Sequence, residues 1–140
     1  MSTPLSVRFE DQLLTRLRRR AAGTPGASVS GLVQRLVDEG LRLAEHPGIV
    51  FKDGPSGRRA ALVAGPDVWE VIQVLREVDE RGPAAVTATA EILSLQQPQI
   101  RTAIRYYADH TAEIDAEIAQ ADAESAAAQA AWEAEQRLLA

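Results

Sequence analysis

The chain contains no cysteine. Neither a disulfide framework nor a thiolate metal site is open to it, and nothing in it calls for an oxidising compartment. No apolar run approaches the length of about 20 residues that spans a bilayer. A basic stretch followed by an apolar one is also missing from the amino terminus, so neither a membrane span nor a secretory leader is expected and the expected location is the cytoplasm. The two histidines, His46 and His110, lie in different segments, with no adjoining pair of ligands at metal spacing. No glycine-rich loop leads from a strand into a helix that opens with lysine, and Gly54-Pro55-Ser56-Gly57 reads as a turn rather than a phosphate cradle. Ser28 and Ser30 have no base and orienting group that the sequence shows. Catalysis, a metal and a cofactor are therefore not expected.

What remains is a chain of 140 residues, 46% hydrophobic and 25% charged, the composition of a soluble globular protein of one ordinary or two very small domains. Its net charge of −5 is unevenly spread. Residues 1–45 carry seven arginines against five acids, and residues 46–110 carry seven bases against eight acids. Residues 111–140 carry Arg137 alone against seven acids, so the acidity resides in the tail.

Near the start, Pro4 to Phe9 alternates Leu5, Val7 and Phe9 with Pro4, Ser6 and Arg8, the pattern of a strand. Glu10 or Asp11 can cap a helix that follows, with Leu13, Leu14, Leu17 and Ala21 on one side and Arg16, Arg19 and Arg20 turned away. Gly23-Thr24-Pro25-Gly26 breaks it. Ser28 stands at the N-cap of a second helix whose stripe is Val29, Leu32, Val33, Leu36, Val37, Leu41 and Ala44, and Pro47 and Gly48 end that helix.

A strand and two helices of about forty-five residues are near the lower limit of what folds alone. Two copies can solve the problem together by pairing their strands antiparallel into a ribbon over interlocked helices. The shared core would then hold Leu5, Val7, Phe9, Leu17, Leu32, Val33, Leu36 and Val37. The outer face of such a ribbon presents Pro4, Ser6 and Arg8 from each chain, and a two-stranded ribbon fits the DNA major groove, where arginine pairs with guanine. Ser28, Val29 and Ser30, at the start of the second helix, are the candidate phosphate contacts, because free amides and the positive dipole end favour an anion there. The plainer alternative is an edge strand and helix pair packed on the rest of the same chain.

The strand "PLSVRF", a helix, a glycine-containing turn and "GASVSGLVQRLVDEGL" together resemble the ribbon-helix-helix proteins of the CopG and Arc type over roughly the first forty-five residues. The resemblance implies base reading by Ser6, Arg8 and Pro4 and backbone binding by Ser28 to Ser30. Pro4 departs from the family pattern, because it carries no readout group.

The second segment opens with a hairpin, Ile49 to Lys52 and Arg58 to Val63 around Asp53, Gly54, Pro55 and Gly57. A helix capped by Asp67 follows, expected to bury Val68, Val71, Ile72, Leu75 and Val78. Beyond Gly82-Pro83, two helices flank Ser94 to Gln97, with Ile92, Leu93, Ile100, Ala103, Ile104 and Tyr107 as core candidates. From His46 to about Ile118 the sequence resembles the small domain of unknown function in VapB-type antitoxins fused to ribbon-helix-helix segments. That resemblance implies a winged-helix-like fold and a toxin partner of the PIN-like ribonuclease family. Lys52, Arg58, Arg59, Arg101 and Arg105 are candidates for a second DNA contact. Alternatively they are solvated, or paired with Glu70, Glu77 or Asp109.

The last thirty residues are rich in Ala, Glu and Gln without Gly or Pro, which favours one long helix. Ile114, Ile118, Ala121, Ala128, Trp132 and Leu139 fall on one face. Of these, Ile114, Ile118, Trp132 and Leu139 are the candidate partner-binding residues, suited to a basic groove of another protein. Packing of this seam on the chain's own second segment, or fraying of the end, is the alternative.

The expected architecture is mainly α: an intertwined ribbon-helix-helix dimer (1–45), a small winged-helix-like helical domain with a hairpin (46–110) and an acidic Ala-rich helix (111–140). The expected function is that of a DNA-binding antitoxin of a toxin-antitoxin system. It would repress its own operon as a homodimer or higher oligomer bound to double-stranded operator DNA, and would neutralise a PIN-like ribonuclease toxin, without a membrane. A stand-alone dimeric transcriptional regulator and a protein-only adaptor are the alternatives.

Overall fold

A computed structural model describes all 140 residues. The fold is mainly helical, with one two-stranded antiparallel sheet, and the chain divides into two compact units, Met1–Ala44 and Glu45–Ala140.

The first unit holds α1 (Asp11–Ala22) and α2 (Val29–Glu45). Glu10 is the N-cap of α1 by its extended backbone, without a side-chain cap bond. At α2 the cap is complete, since Ser28 Oγ accepts the Gly31 amide at 3.0 Å and the Ser28 carbonyl accepts the Leu32 amide at 3.0 Å. Only Leu17, Ala21 and Leu32 form a buried apolar cluster here, with Phe9, Val29 and Val33 packed against it. Leu5 (86% exposed), Val7, Leu13, Leu36, Val37 (57% exposed), Leu41 and Leu43 are left open to solvent. No strand of the chain pairs with residues 4–9, because the single sheet is β1 with β2.

The second unit begins with β1 (Ile49–Gly54) and β2 (Gly57–Leu62), in register from Ile49 opposite Leu62 to Gly54 opposite Gly57 around a Pro55-Ser56 turn. The helices α3 (Val68–Glu77), α4 (Pro83–Leu93), α5 (Gln97–Asp109) and α6 (Thr111–Leu139) follow. The helices α3, α4 and α5 contact one another pairwise, and α6 packs on α3 and α5. One core joins them all, built on Ile49, Leu62, Val68, Val71, Ile72, Ile100, Tyr106, Ile114 and Ile118 among others. Full burial of each such large side chain is worth about 1.5–3 kcal/mol.

Several expectations change here. Residues 111–140 are not a separate segment, because Ile114 and Ile118 are core residues of the second unit and so cannot be part of a free partner-binding seam. Tyr106 is fully buried, whereas Tyr107, the expected core residue, is only half-buried. Ile92 is exposed and Leu75 half-buried. Asp67 has the backbone of an N-cap, but its carboxylate accepts the Trp69 indole N–H at 3.2 Å instead of a helix amide.

Candidate nucleic-acid interface

Pro4, Ser6 and Arg8 are all exposed, as are Ser28 and Ser30, while Val29 is half-buried. The Ser28 hydroxyl oxygen is engaged by Gly31, which orders the first turn of α2, and the Val29 and Ser30 amides belong to the donors that a helix cannot pair internally. Beside this turn lies an open groove of 770 Å³ lined mostly by apolar side chains, among them Leu5, Val7, Phe9, Val33, Val37 and Leu41. The expected dimer-core residues thus separate into two sets. Leu17 and Leu32 are buried within one chain, Phe9 and Val33 are half-buried, and Leu5, Val7, Leu36 and Val37 are uncovered. Arg16, Arg18, Arg19 and Arg20 stand exposed on α1.

In the second unit the five basic candidates do not form one patch. Arg59 turns inward: it is 9% exposed, donates to Gln120 Oε1 at 2.7 Å and lies over the Trp69 ring, so it is a structural residue rather than a DNA contact. Lys52 donates to the Gly65 carbonyl at 3.0 Å, and Arg58 pairs with Asp53 across the hairpin at 3.2 Å. Arg101 and Arg105 stand on the exposed side of α5. Neither pairs with Glu70, Glu77 or Asp109, and Arg105 reaches only the Thr102 hydroxyl, at 3.3 Å.

Comparison with protein-family models, curated proteins and solved structures finds no match. The chemistry of the chain has to be read from its own residues.

Beside Arg59 lies a carboxyl held well above its ordinary value. Burial pushes the Glu117 carboxyl up to about 7; Glu113 and Asp67 add to the shift and Arg59 opposes it. One Glu117 oxygen is buried without a hydrogen-bond partner. Glu70 is raised too, chiefly by burial and then by Asp67, against Lys52. Where α6 meets α3 and α5, Arg76 and Tyr107 both bond to Asp115, which holds that carboxyl below its ordinary range and the guanidinium above its own.

Past Ala121 every residue of α6 is exposed, including Trp132 (58%), Leu138 and Leu139. The last polar ties of α6 to its unit are Gln73 to Asp122 and Ser56 to Glu124. Of the four expected partner-binding residues, Trp132 and Leu139 alone stand free.

Sequence reasoning passed over Gln97, which shares the exposed side of α5 with the two arginines. The signal was present in the spacing of Gln97, Arg101 and Arg105 at i, i+4 and i+8.

Proposed function

We propose that the protein is a sequence-specific DNA-binding antitoxin that works as a homodimer in the cytoplasm. In this reading Met1–Ala44 forms a ribbon-helix-helix unit with a second copy: residues 4–9 of two chains pair, and Leu5, Val7, Leu36 and Val37 close over the partner's helices. Pro4, Ser6 and Arg8 then face the major groove of operator DNA, and Ser28 to Ser30 grip the backbone. The second unit is read as a winged-helix-like module. The free end of α6, with Trp132 and Leu139 on an acidic helix, is read as the segment that fills a basic groove of a PIN-like ribonuclease toxin.

The observation that carries this reading is the mismatch in the first unit. A segment with strand alternation has no strand to pair with, beside a helix pair that leaves Leu5, Val7, Leu36, Val37, Leu41 and Leu43 exposed. Apolar exposure on that scale, clustered on one unit, marks an association surface. The strand-like alternation of residues 4–9 in the sequence, with exposed Arg8 among its polar positions, supports DNA as what the assembled surface would meet.

The test is binding of the purified protein to its own upstream DNA, followed by fluorescence anisotropy across a salt series with unrelated DNA as reference. Specific, salt-sensitive binding that Arg8→Ala removes supports the reading. Equal binding to both DNAs, or none, overturns the operator role.

A further inference from the structure

Two observations of the second unit take that reading further. The first is the connection between α4 and α5. The helix α4 stops at Leu93, Ser94 takes a left-handed backbone (φ 55°, ψ 42°), and only Ser94, Leu95 and Gln96 separate it from α5. The start of α5 is secured at Gln96: its carbonyl accepts the Gln99 amide at 3.0 Å, and its own amide donates to Gln99 Oε1 at 2.8 Å. Two helices joined by so short a turn, both resting on a third helix α3, match a helix-turn-helix in connection length and in support.

The second observation is the outer face of α5. Ile100, Ala103 and Tyr106 point into the core. Gln97, Pro98, Arg101, Arg105 and Ala108, on the opposite side, are exposed. Gln97 donates its side-chain amide to the Thr87 hydroxyl of α4 at 3.2 Å, which steadies the first side chain of this face. Arg101 makes no hydrogen bond or ion pair, and Arg105 is spared by Asp109, whose carboxylate lies against His46. The acids at the docked end of α6 bond elsewhere: Glu113 to Tyr106, Asp115 to Arg76 and Tyr107, Asp122 to Gln73 and Glu124 to Ser56. Tyr106 and Tyr107 lie off the arginine face, so it is not neutralised from behind.

We propose that α4, the Ser94–Gln96 turn and α5 form a DNA-reading helix-turn-helix, with Gln97, Arg101 and Arg105 of α5 meeting base edges in the major groove. The chemistry of the face fits that partner. Arginine pairs bidentately with guanine and glutamine with adenine, whereas a protein-docking face would carry aromatic or aliphatic anchors, and this one has none. The inference rests on the reading of the chain as DNA-binding but is independent of the ribbon: each chain would carry two readers, and the operator would hold two kinds of sequence element.

The experiment is a selection of the full-length protein on a randomised double-stranded DNA pool, run with the wild type, Arg8→Ala, and the double variant Arg101→Ala with Arg105→Ala. Both arginines are exposed, so the double variant should melt with the wild type by circular dichroism. The expected result is a site with two elements. The double variant loses preference in one of them by roughly tenfold or more per guanine contact and keeps the other. Arg8→Ala does the converse. A single element that Arg8→Ala abolishes and the double variant leaves intact overturns the α5 proposal while sparing the ribbon. A single element abolished only by the double variant supports α5 and removes the ribbon as the reader. No enriched sequence overturns both.

Discussion

Asp109 Oδ2 lies 2.9 Å from His46 Nε2, and so the carboxylate one turn beyond Arg105 on α5 is spent on the linker residue that precedes β1. The two groups are in close polar contact, although they are not aligned as a hydrogen bond. His46 is buried, edge-on to the Tyr106 ring at 5.2 Å, so the same contact anchors the entry of the second unit and leaves Arg105 free. His46→Ala should remove ring packing from a closed site and destabilise the second unit by about 2–3 kcal/mol. Chemical denaturation of the full chain checks it, and an unchanged midpoint would contradict the anchoring role.

Gly48 has a φ of +97°, where L side chains are strained, and a Cβ placed there would come 3.2 Å from Thr102 Cγ2. Gly48→Ala should therefore lower stability by about 1–2 kcal/mol. Differential scanning calorimetry reads the effect. Thr102→Ser, which removes the crowded methyl, should recover part of the loss.

Glu117 gives stability a pH slope. Its carboxyl holds a proton up to about pH 7 in the fold, against an ordinary value of 4.5. Between those two values the unfolded chain has released a proton that the folded chain retains, so stability declines as pH rises through this window and the loss is complete above it. Glu117→Gln should flatten the slope and gain about 1 kcal/mol at pH 8 relative to pH 5, a figure reduced for solvent screening of a half-exposed group. Parallel urea melts of both proteins at the two pH values test this, and equal slopes would refute it.

Val37 projects from α2 into the open apolar groove. If two copies pair as proposed, Val37→Glu should leave the second unit folded and convert the dimer to a monomer, since burying two unpaired carboxylates, one from each copy, in a shared core is costly. Sedimentation equilibrium decides, and a wild type that is monomeric at micromolar concentration would itself contradict the self-pairing of residues 4–9.

The α6 helix should tolerate a cut in one place and not another. Removal of residues 125–140 takes away only exposed side chains and should leave the melting temperature within a few degrees. Removal of residues 111–140 takes Ile114 and Ile118 out of the core and should unfold the second unit. If the free end docks a ribonuclease toxin as proposed, Trp132→Ala should weaken that binding by about 2 kcal/mol or more, as for a buried aromatic anchor, and calorimetric titration with the candidate toxin measures it.

The amino-acid sequence by itself determined the local elements, because periodicity, caps and breakers act over a few residues. The Val29–Val37 stripe, the Ser28 cap and the Pro47-Gly48 stop could be read directly, as could the hairpin, although β1 runs on to Gly54 and β2 starts at Gly57, leaving a tighter turn than the expected one from Asp53 to Gly57. So could the strand alternation of residues 4–9, along with the lack of any neighbour for it in the chain. Tertiary structure alone decided which side of a shared pattern is spent on the chain's own core. The seam on α6 is continuous in sequence, yet Ile114 and Ile118 are buried while Trp132 and Leu139 are exposed, because the hairpin and α3 extend only as far as Glu124. Among the arginines, neighbours in space made the difference: Arg59 meets Gln120, sixty-one residues away, whereas Arg101 meets nothing. Local sequence carries periodicity, but burial and pairing depend on partners brought from far along the chain.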